Sequence, residues 1–259
     1  MMYNNIFDTH AHYDDEQFDS DRSELLASLT GKGISGVISC GVNAESSKAN
    51  IDLSEKYPFI YAAVGYHGLN TEDLTGDYLD ILKGLIKNEK TVAIGEIGLD
   101  YHYEKETRDI QLKIFREQIE LANEYSLPVI VHDREAHEDT LNILKELKPR
   151  GVIHCFTGSV EMAKEIVKIG MYIGLGGAVT FKNAVKPVEV AKYVPADRLL
   201  VETDCPYMTP VPYRGKRNDS SLIPYTAEKI AEVRGVTAQE ILDLTAENAR
   251  ALFRIANEC

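Results

Sequence analysis

The sequence predicts an α/β protein of the (β/α)8 or TIM-barrel class. Short apolar segments alternate with longer amphipathic ones along all 259 residues, with no linker or low-complexity stretch. The apolar segments are continuous runs, which is typical of parallel strands covered on both faces. Eight such units give about 32 residues per unit, and barrels of this class have about 250 residues. We therefore expect a single domain over residues 1–259, with a doubly wound open sheet as the alternative.

The eight expected strands cover residues 6–9, 36–40, 59–65, 91–96, 127–132, 151–155, 171–174 and 198–204. Helices are expected over 19–32, 44–56, 77–87, 106–125, 135–147, 160–169 and 186–192, and two more close the chain. The fourth helix carries apolar residues mostly at helical spacing, namely Ile110, Ile114, Leu121, Ala122 and Tyr125. The last helix begins at Thr237, where Glu240 completes a capping box.

The composition is that of an ordinary soluble globular protein, with 44% hydrophobic and 27% charged residues. The first residues lack the basic and apolar regions of a signal peptide, and no apolar run approaches the length of a membrane span. The cysteines Cys40, Cys155, Cys205 and Cys259 are widely scattered and form no Cys-x-x-Cys motif. We therefore expect reduced thiols, a cytoplasmic location and no membrane association.

The net charge of −13 counts against a general nucleic-acid-binding surface. It does not exclude a nucleic-acid substrate, because surface charges are screened beyond about 8–10 Å at physiological salt. Bound cations would also reverse the sign of the local charge. The global charge therefore decides little about a site.

A His-x-His pair stands at the end of the first predicted strand. Strand side chains alternate faces, so the imidazoles of His10 and His12 point the same way. Two neutral imidazoles converging on one point favour a divalent metal. Alone the pair is a weak signal, since two polar residues in a turn give the same pattern.

Further histidines and acids stand at other strand ends, where barrel enzymes carry their reactive groups. The complete set of candidates at strand ends is His10, His12, Glu96, His132, His154 and Asp204. His67 follows the third strand, and only His102 and His137 among the seven histidines lie clearly away from strand ends. This distribution favours a functional site at one end of the barrel.

Four histidines and two carboxylates exceed one tetrahedral zinc site but suffice for two divalent ions roughly 3.5–4 Å apart. We expect Glu96 to bridge the ions, since its strand lies between the two groups of histidines. The expected sets are His10, His12 and Asp204 for one ion, and His132 and His154 for the other. A metal-bound hydroxide is the expected nucleophile, with Asp204 accepting a proton on its free oxygen. Mg²⁺, Mn²⁺ and Zn²⁺ all fit this set.

Several segments resemble the signatures of the TatD-like metal-dependent deoxyribonucleases. They are 7–12, 95–100, 131–132, 154–159, 202–204 and 214–218. The resemblance runs in order from Asp8 to Asn218 and therefore covers most of the chain. It implies an amidohydrolase-type TIM barrel, two divalent metals, and hydrolysis of ester bonds in DNA. The family's metal ligands map onto the same six residues.

Two positions depart from the family's usual pattern. His-Pro is common after the third strand, where this chain has His67-Gly68, and serine or alanine is usual where this chain has Cys205. Neither departure removes a ligand. The first leaves the role of His67 open, and we group it with the candidate substrate contacts.

Basic residues after two strands are candidates for holding a phosphate or a nucleotide backbone. Arg214, Lys216 and Arg217 follow the eighth strand, and Arg134 follows the fifth. The alternatives are a solvated loop for the first three and an ion pair with a neighbouring glutamate for Arg134. Residues 101–103 offer rings that could stack on bases, although packing of one tyrosine against the core fits as well.

These features favour a metal-dependent phosphodiesterase, namely a deoxyribonuclease acting on single-stranded DNA ends. The family resemblance suggests the 3′–5′ exonuclease direction. The alternative is a two-metal hydrolase of another ester, lactone or amide, such as an aminoacyl ester on tRNA, because activated water is not selective about its electrophile. A barrel with a purely structural metal would need a closed coordination shell, which ligands at a barrel mouth disfavour. No obligate protein partner is inferred.

Overall fold

The computed structural model of the protein describes residues 3–103 and 105–256. Within them, one sheet contains eight parallel strands in sequential order. The strands are β1 (Ile6–Ala11), β2 (Ile34–Cys40), β3 (Ile60–Val64), β4 (Thr91–Asp100), β5 (Val129–Arg134), β6 (Gly151–Ile153), β7 (Tyr172–Leu175) and β8 (Leu199–Val201). The α-helices are α1 (Arg22–Leu29), α2 (Ala44–Lys56), α3 (Tyr78–Leu85), α4 (Arg108–Glu124), α5 (His137–Leu147), α6 (Val160–Lys168), α7 (Val185–Tyr193), α8 (Ile223–Arg234) and α9 (Ala238–Phe253).

The last strand returns to the first. Just beyond β8, the Asp204 N–H donates to the His10 carbonyl at 2.9 Å, and the His12 N–H donates to the Cys205 carbonyl at 2.8 Å. Ala11 and Cys205 form a parallel bridge. Sequential strand order with the two ends in contact is a TIM barrel, so the fold prediction is confirmed and the doubly wound alternative is excluded.

The barrel wall is buried on both faces. Every residue of β1 and of β4 is buried, polar residues such as Asp8, His10 and Glu96 included, as expected of parallel strands that are covered on both faces. Inside the barrel, Phe7 and Leu200 share a buried cluster with Leu252 and Phe253 of α9. Phe7 and Val92, which also belongs to this cluster, are the second residues of β1 and β4, so the C-terminal helix covers the end at which the strands begin. The opposite end carries the site.

Several strand and helix bounds differ from the predicted ones. β4 runs to Asp100, four residues beyond the prediction, because it pairs with β5 over this length. The predicted sixth and eighth strands end early, at Ile153 and Val201, so the functional residues there stand in the loops after the strands. The first helix begins at Arg22, and residues 30–32 form a 3-10 turn.

The helix predictions are confirmed in type and corrected in detail. α5 begins at His137 rather than at residue 135. Among the apolar positions predicted for the fourth helix, Ile110 of α4 and Tyr125, which directly follows α4, are exposed, while the other three are buried. Both hydrogen bonds of the predicted capping box between Thr237 and Glu240 are present.

The described cysteines Cys40, Cys155 and Cys205 are free thiols, and Cys259 lies outside the described residues. Residues 1, 2, 104, 257 and 258 of the predicted domain also lie outside them. In the described part of the chain, every helix is too short or too polar to cross a lipid bilayer.

Candidate metal centre

The candidate ligands predicted from the sequence lie together at the end of the barrel where the strands finish. Three overlapping groups of three residues each bring ligating atoms within 4.8 Å of one another. Together these groups contain all six predicted ligands and one further residue, His67. The donors are imidazole nitrogens and carboxylate oxygens, a mixture that suits zinc, manganese or magnesium. The residues present therefore fit a divalent metal centre.

Glu96 occupies the middle of this centre. Its Oε2 lies 3.4 Å from Nε2 of His10 and 3.3 Å from Nε2 of His12. Its Oε1 lies 2.8 Å from Nδ1 of His132 and 2.9 Å from Nε2 of His154. The two oxygens of one carboxylate thus face two different pairs of histidines, which is the arrangement expected of a bridging ligand.

Asp204 joins the pair at the end of β1. Its Oδ1 lies 3.6 Å from Nε2 of His10 and 3.5 Å from Nε2 of His12. The backbone of Asp204 has a φ of 57°, a left-handed conformation that is uncommon outside glycine and clusters at functional sites. The two histidine groups also adjoin, since the rings of His10 and His154 stack with centroids 3.9 Å apart.

The far ring nitrogens of two histidines are held by hydrogen-bond acceptors. Nδ1 of His12 lies 3.0 Å from the Cys40 carbonyl, and Nε2 of His132 lies 3.1 Å from Oδ2 of Asp100. Because these partners can only accept, each histidine must donate there and keeps the lone pair of its other nitrogen for the centre. Sequence reasoning assigned no role to Asp100, although it ends the segment 95–100.

Two further buried acids support the centre and were also missed. Asp8 accepts hydrogen bonds from the hydroxyls of Thr203 and Ser220 and from the His10 N–H. Burial raises the pKa of Asp8 to about 7, although these hydrogen bonds oppose the shift. Glu202 lies 3.6 Å from Nδ1 of His154. Both acids stand in the motif segments, which was the available signal.

The pKa values of the acids and histidines in the centre depend on one another. Burial would raise the pKa of Glu96, but the neighbouring histidines, His154 foremost, outweigh it and hold this pKa well below its usual range. Burial would also lower the pKa of His12, yet hydrogen bonds to Asp204 and Glu96 raise it well above the ordinary value. Without a metal ion, protons on the histidines balance the buried carboxylates, so metal binding must compete with these protons.

His67 lies closer to the centre than its grouping with the substrate contacts implied. Its Nε2 lies 3.5 Å from Oε1 of Glu96, and only 6% of the residue is exposed. Its Nδ1 accepts the Leu69 N–H at 3.0 Å. Burial lowers the pKa of His67 to about 3, so the ring is neutral.

The centre opens into a cavity of about 270 Å³. One wall is acidic, since Asp14 and Asp15 line the cavity beside Tyr207. Asp14 is held by Ser46 and Asn50, and Asp15 accepts from the Tyr207 hydroxyl at 2.7 Å. Sequence reasoning missed this wall, although both acids follow His12 closely along the chain.

The basic side chains singled out in the sequence line cavities beside the centre. Arg134 lines a cavity of about 290 Å³ together with His132, and its guanidinium stacks 4.6 Å from the centroid of the Tyr103 ring. Among the described residues, neither Glu135 nor Glu138 forms an ion pair with Arg134.

The basic side chains in the loop after β8 differ in whether they are exposed or paired with an acid. Arg214, Lys216 and Arg217 line a cavity of about 310 Å³ that shares Tyr207 with the cavity over the centre. The guanidinium of Arg217 makes two hydrogen bonds to Asp21, at 2.8 and 2.6 Å. Arg214 and Lys216 are exposed, so these two are better placed to meet a substrate than Arg217.

Two of the three rings that follow β4 interact with acidic side chains of the protein. The Tyr101 hydroxyl donates to Asp139, and His102 pairs with Glu135 at 2.7 Å. Tyr103 is 63% exposed, so of the three it is the ring most open to a base.

A parallel eight-stranded barrel with histidines and carboxylates gathered at the strand ends is the architecture of metal-dependent TIM-barrel hydrolases. The sequence model of the family described as TatD related DNase matches residues 7–254. The chain therefore belongs to the TatD family of metal-dependent hydrolases.

Relatives and solved structures agree with this assignment. The uncharacterized metal-dependent hydrolase YabD of Bacillus subtilis is 48% identical over 253 residues, which cover 96% of this chain and 99% of that protein. The 3′-5′ ssDNA/RNA exonuclease TatD of Salmonella typhimurium is 32% identical, with 96% of this chain and 99% of that protein covered. The crystal structure of YJJV, a TatD homolog from Escherichia coli, superposes with a TM-score of 0.92 at 31% identity and covers 99% of this chain and 100% of that one.

Proposed function

We propose that this TatD-family hydrolase cleaves phosphodiester bonds of DNA with two divalent ions, acting on single-stranded 3′ ends. The observation that carries the proposal is the position of Glu96, whose two oxygens face separate pairs of histidines. One ion would be held by His10, His12 and Asp204, the other by His132 and His154, with Glu96 shared. Divalent ions bound there polarise phosphoryl oxygens and lower the pKa of water, which is the chemistry that hydrolysis needs.

The protein's own groups supply position and proton transfer. Glu96 is 4% exposed and His10 is fully buried, so these ligands are held in a site largely shielded from water, where charge interactions are strong. Asp204 turns Oδ1 towards the histidines of β1, which leaves Oδ2 to accept a proton from the attacking water.

The charge around the centre favours an anionic substrate that approaches from one side. Arg134 and Arg214 line cavities beside the centre, and each guanidinium is braced by an aromatic ring, Tyr103 or Phe181. Such guanidinium groups can bind phosphate oxygens in bidentate fashion. Asp14 and Asp15 on another wall would repel phosphates. The direction of cleavage and the single-stranded preference rest on the name of the Salmonella relative, which also includes RNA.

A cleavage assay with metal add-back tests the proposal. Metal-stripped protein is incubated with a 5′-labelled single-stranded oligonucleotide and Mg²⁺, Mn²⁺ or Zn²⁺. We expect a ladder that shortens from the 3′ end, restored by at least one metal and absent in Glu96→Ala and Asp204→Ala proteins. Glu138→Ala, at an exposed position of α5, is the matched control and should retain activity. No cleavage with any metal, by protein shown to hold two ions, would refute the nuclease activity.

A second candidate is hydrolysis of an ester that carries an amine, such as an aminoacyl ester on tRNA. The acidic wall formed by Asp14 and Asp15 favours it, because carboxylates attract an ammonium group. Neutralising Arg214 and Lys216 separates the two candidates. Their loss should impair diester cleavage far more than cleavage of a small ester without phosphate.

A further inference from the structure

His67 differs from His12 and His132 in the partner of the ring nitrogen that points away from the centre. Its Nδ1 accepts the backbone N–H of Leu69 at 3.0 Å. A backbone amide can only donate, so Nδ1 must carry a lone pair, and the proton of the neutral ring must reside on Nε2. His12 and His132 have the opposite arrangement, because a carbonyl and a carboxylate oblige their far nitrogens to donate.

The protonated nitrogen is the one that faces the site. Nε2 of His67 lies 3.5 Å from Oε1 of Glu96, longer than a good hydrogen bond, and His67 lines the cavity over the centre. Distance alone would make His67 a third ligand beside Glu96 and His132. A nitrogen that carries a proton has no lone pair for an ion, so the hydrogen bonding argues against ligation.

We propose that His67 is a hydrogen-bond donor to the substrate and not a metal ligand, with Nε2–H directed at a non-bridging oxygen of the scissile phosphate. This inference rests on the proposed function, since it needs a phosphodiester in the cavity. A donor that is 94% buried and already oriented by the Leu69 N–H stabilises charge on a phosphoryl oxygen without reorganising in the reaction.

Two measurements on the same proteins test the role of His67. Bound Zn²⁺ or Mn²⁺ is counted after equilibrium dialysis, and kcat and KM are measured on a single-stranded oligonucleotide. His67→Ala should bind two ions with wild-type affinity but lose about 10- to 100-fold in kcat/KM, the range expected for one hydrogen bond to a charged group. His132→Ala is the contrast and should lose one ion.

Two amide variants refine the test. The amide nitrogen of glutamine can reach the place of Nε2, whereas that of asparagine falls nearer Nδ1. His67→Gln should therefore recover part of the activity, His67→Asn should behave like His67→Ala, and all three should keep both ions.

The outcomes separate failure of the inference from failure of the proposed function. Wild-type cleavage together with loss of one ion in His67→Ala would show that His67 is a ligand and would overturn the inference alone. Unchanged kcat/KM in His67→Ala would do the same. Wild-type protein that holds two ions yet cleaves no diester would refute the proposed function, and the donor role of His67 with it.

Discussion

Asp100→Asn replaces one carboxylate oxygen by an amide nitrogen and should weaken the ion held by His132 and His154. Oδ1 of Asp100 accepts the N–H groups of His102 and Tyr103 at 2.9 and 3.2 Å, and Oδ2 lies 3.1 Å from Nε2 of His132. The amide oxygen should keep the hydrogen bonds from the His102 and Tyr103 N–H groups, because these two hydrogen bonds together are stronger than the single one to His132. The amide NH₂ then faces His132 and donates, which moves the ring proton to Nδ1, the nitrogen directed at the centre.

The size of the effect follows from the cost of turning the amide over. A neutral hydrogen bond contributes about 0.5–1.5 kcal/mol net, so giving up two costs about 1–3 kcal/mol. This limits the loss in affinity to roughly 5- to 150-fold, close to the 10- to 100-fold usual when a partner of a metal-binding histidine is mutated. Asparagine is nearly isosteric with aspartate, so the fold should be kept.

Zinc titration by calorimetry, with ions counted after dialysis, measures the change. Asp133→Asn is the matched control, since Asp133 is a buried acid that pairs with His137, a histidine outside the centre, at 2.7 Å. Asp100→Ala is the second control. It removes the acceptor without supplying a donor, so it should bind the ion more tightly than Asp100→Asn does. Wild-type affinity in Asp100→Asn, or weaker binding in Asp100→Ala than in Asp100→Asn, would show that Asp100 does not fix the ring proton of His132.

Three further outcomes are expected. Glu96→Gln should reduce the bound ions from two to one at most, counted after dialysis, because an amide cannot offer an anionic oxygen to each; two tightly held ions would contradict a bridging role. Arg134→Ala and Arg214→Ala should each raise KM for DNA about 10-fold with little change in kcat, whereas Arg217→Ala, which breaks the pair with Asp21, should chiefly lower the melting temperature. The reverse pattern would move the substrate contact to Arg217. Metal binding at pH 7 should release protons and should weaken as the pH falls. Burial would lower the pKa of His154, but Glu96 and Glu202 raise this pKa well above its ordinary value. Because a histidine binds a metal ion through a neutral ring, the ion must displace this proton. Calorimetry in two buffers of different ionisation enthalpy measures this release, and equal heats would contradict it.

The barrel was predictable because its pattern is local. Most of the parallel strands are largely apolar runs, and helices such as α4 carry apolar residues mostly at helical spacing, so strand and helix order could be inferred without tertiary information. The residues at which the strands end were less predictable. The extension of β4 to Asp100 depends on pairing with β5, and β8 ends at Val201, beyond which Cys205 still bridges to Ala11 of β1.

The six candidate ligands were predictable because barrel geometry places strand ends together. Which ring nitrogen of each histidine faces the centre was not predictable, because it depends on hydrogen-bond partners that are distant in sequence or belong to the backbone. Cys40 holds His12 across 28 residues, and Asp100 holds His132 across 32. Likewise, Arg217 pairs with Asp21, 196 residues away in the sequence, and this pair could not be predicted from composition.

A crystal structure of the protein with manganese or zinc, located by anomalous scattering, tests the two-ion centre most directly. Two ions should lie roughly 3.5–4 Å apart, each contacted by a different oxygen of Glu96. His132 should bind through Nδ1, and Nε2 of His67 should stay outside both coordination shells. A single ion, or two ions that do not share Glu96, would contradict the two-ion centre proposed for this protein.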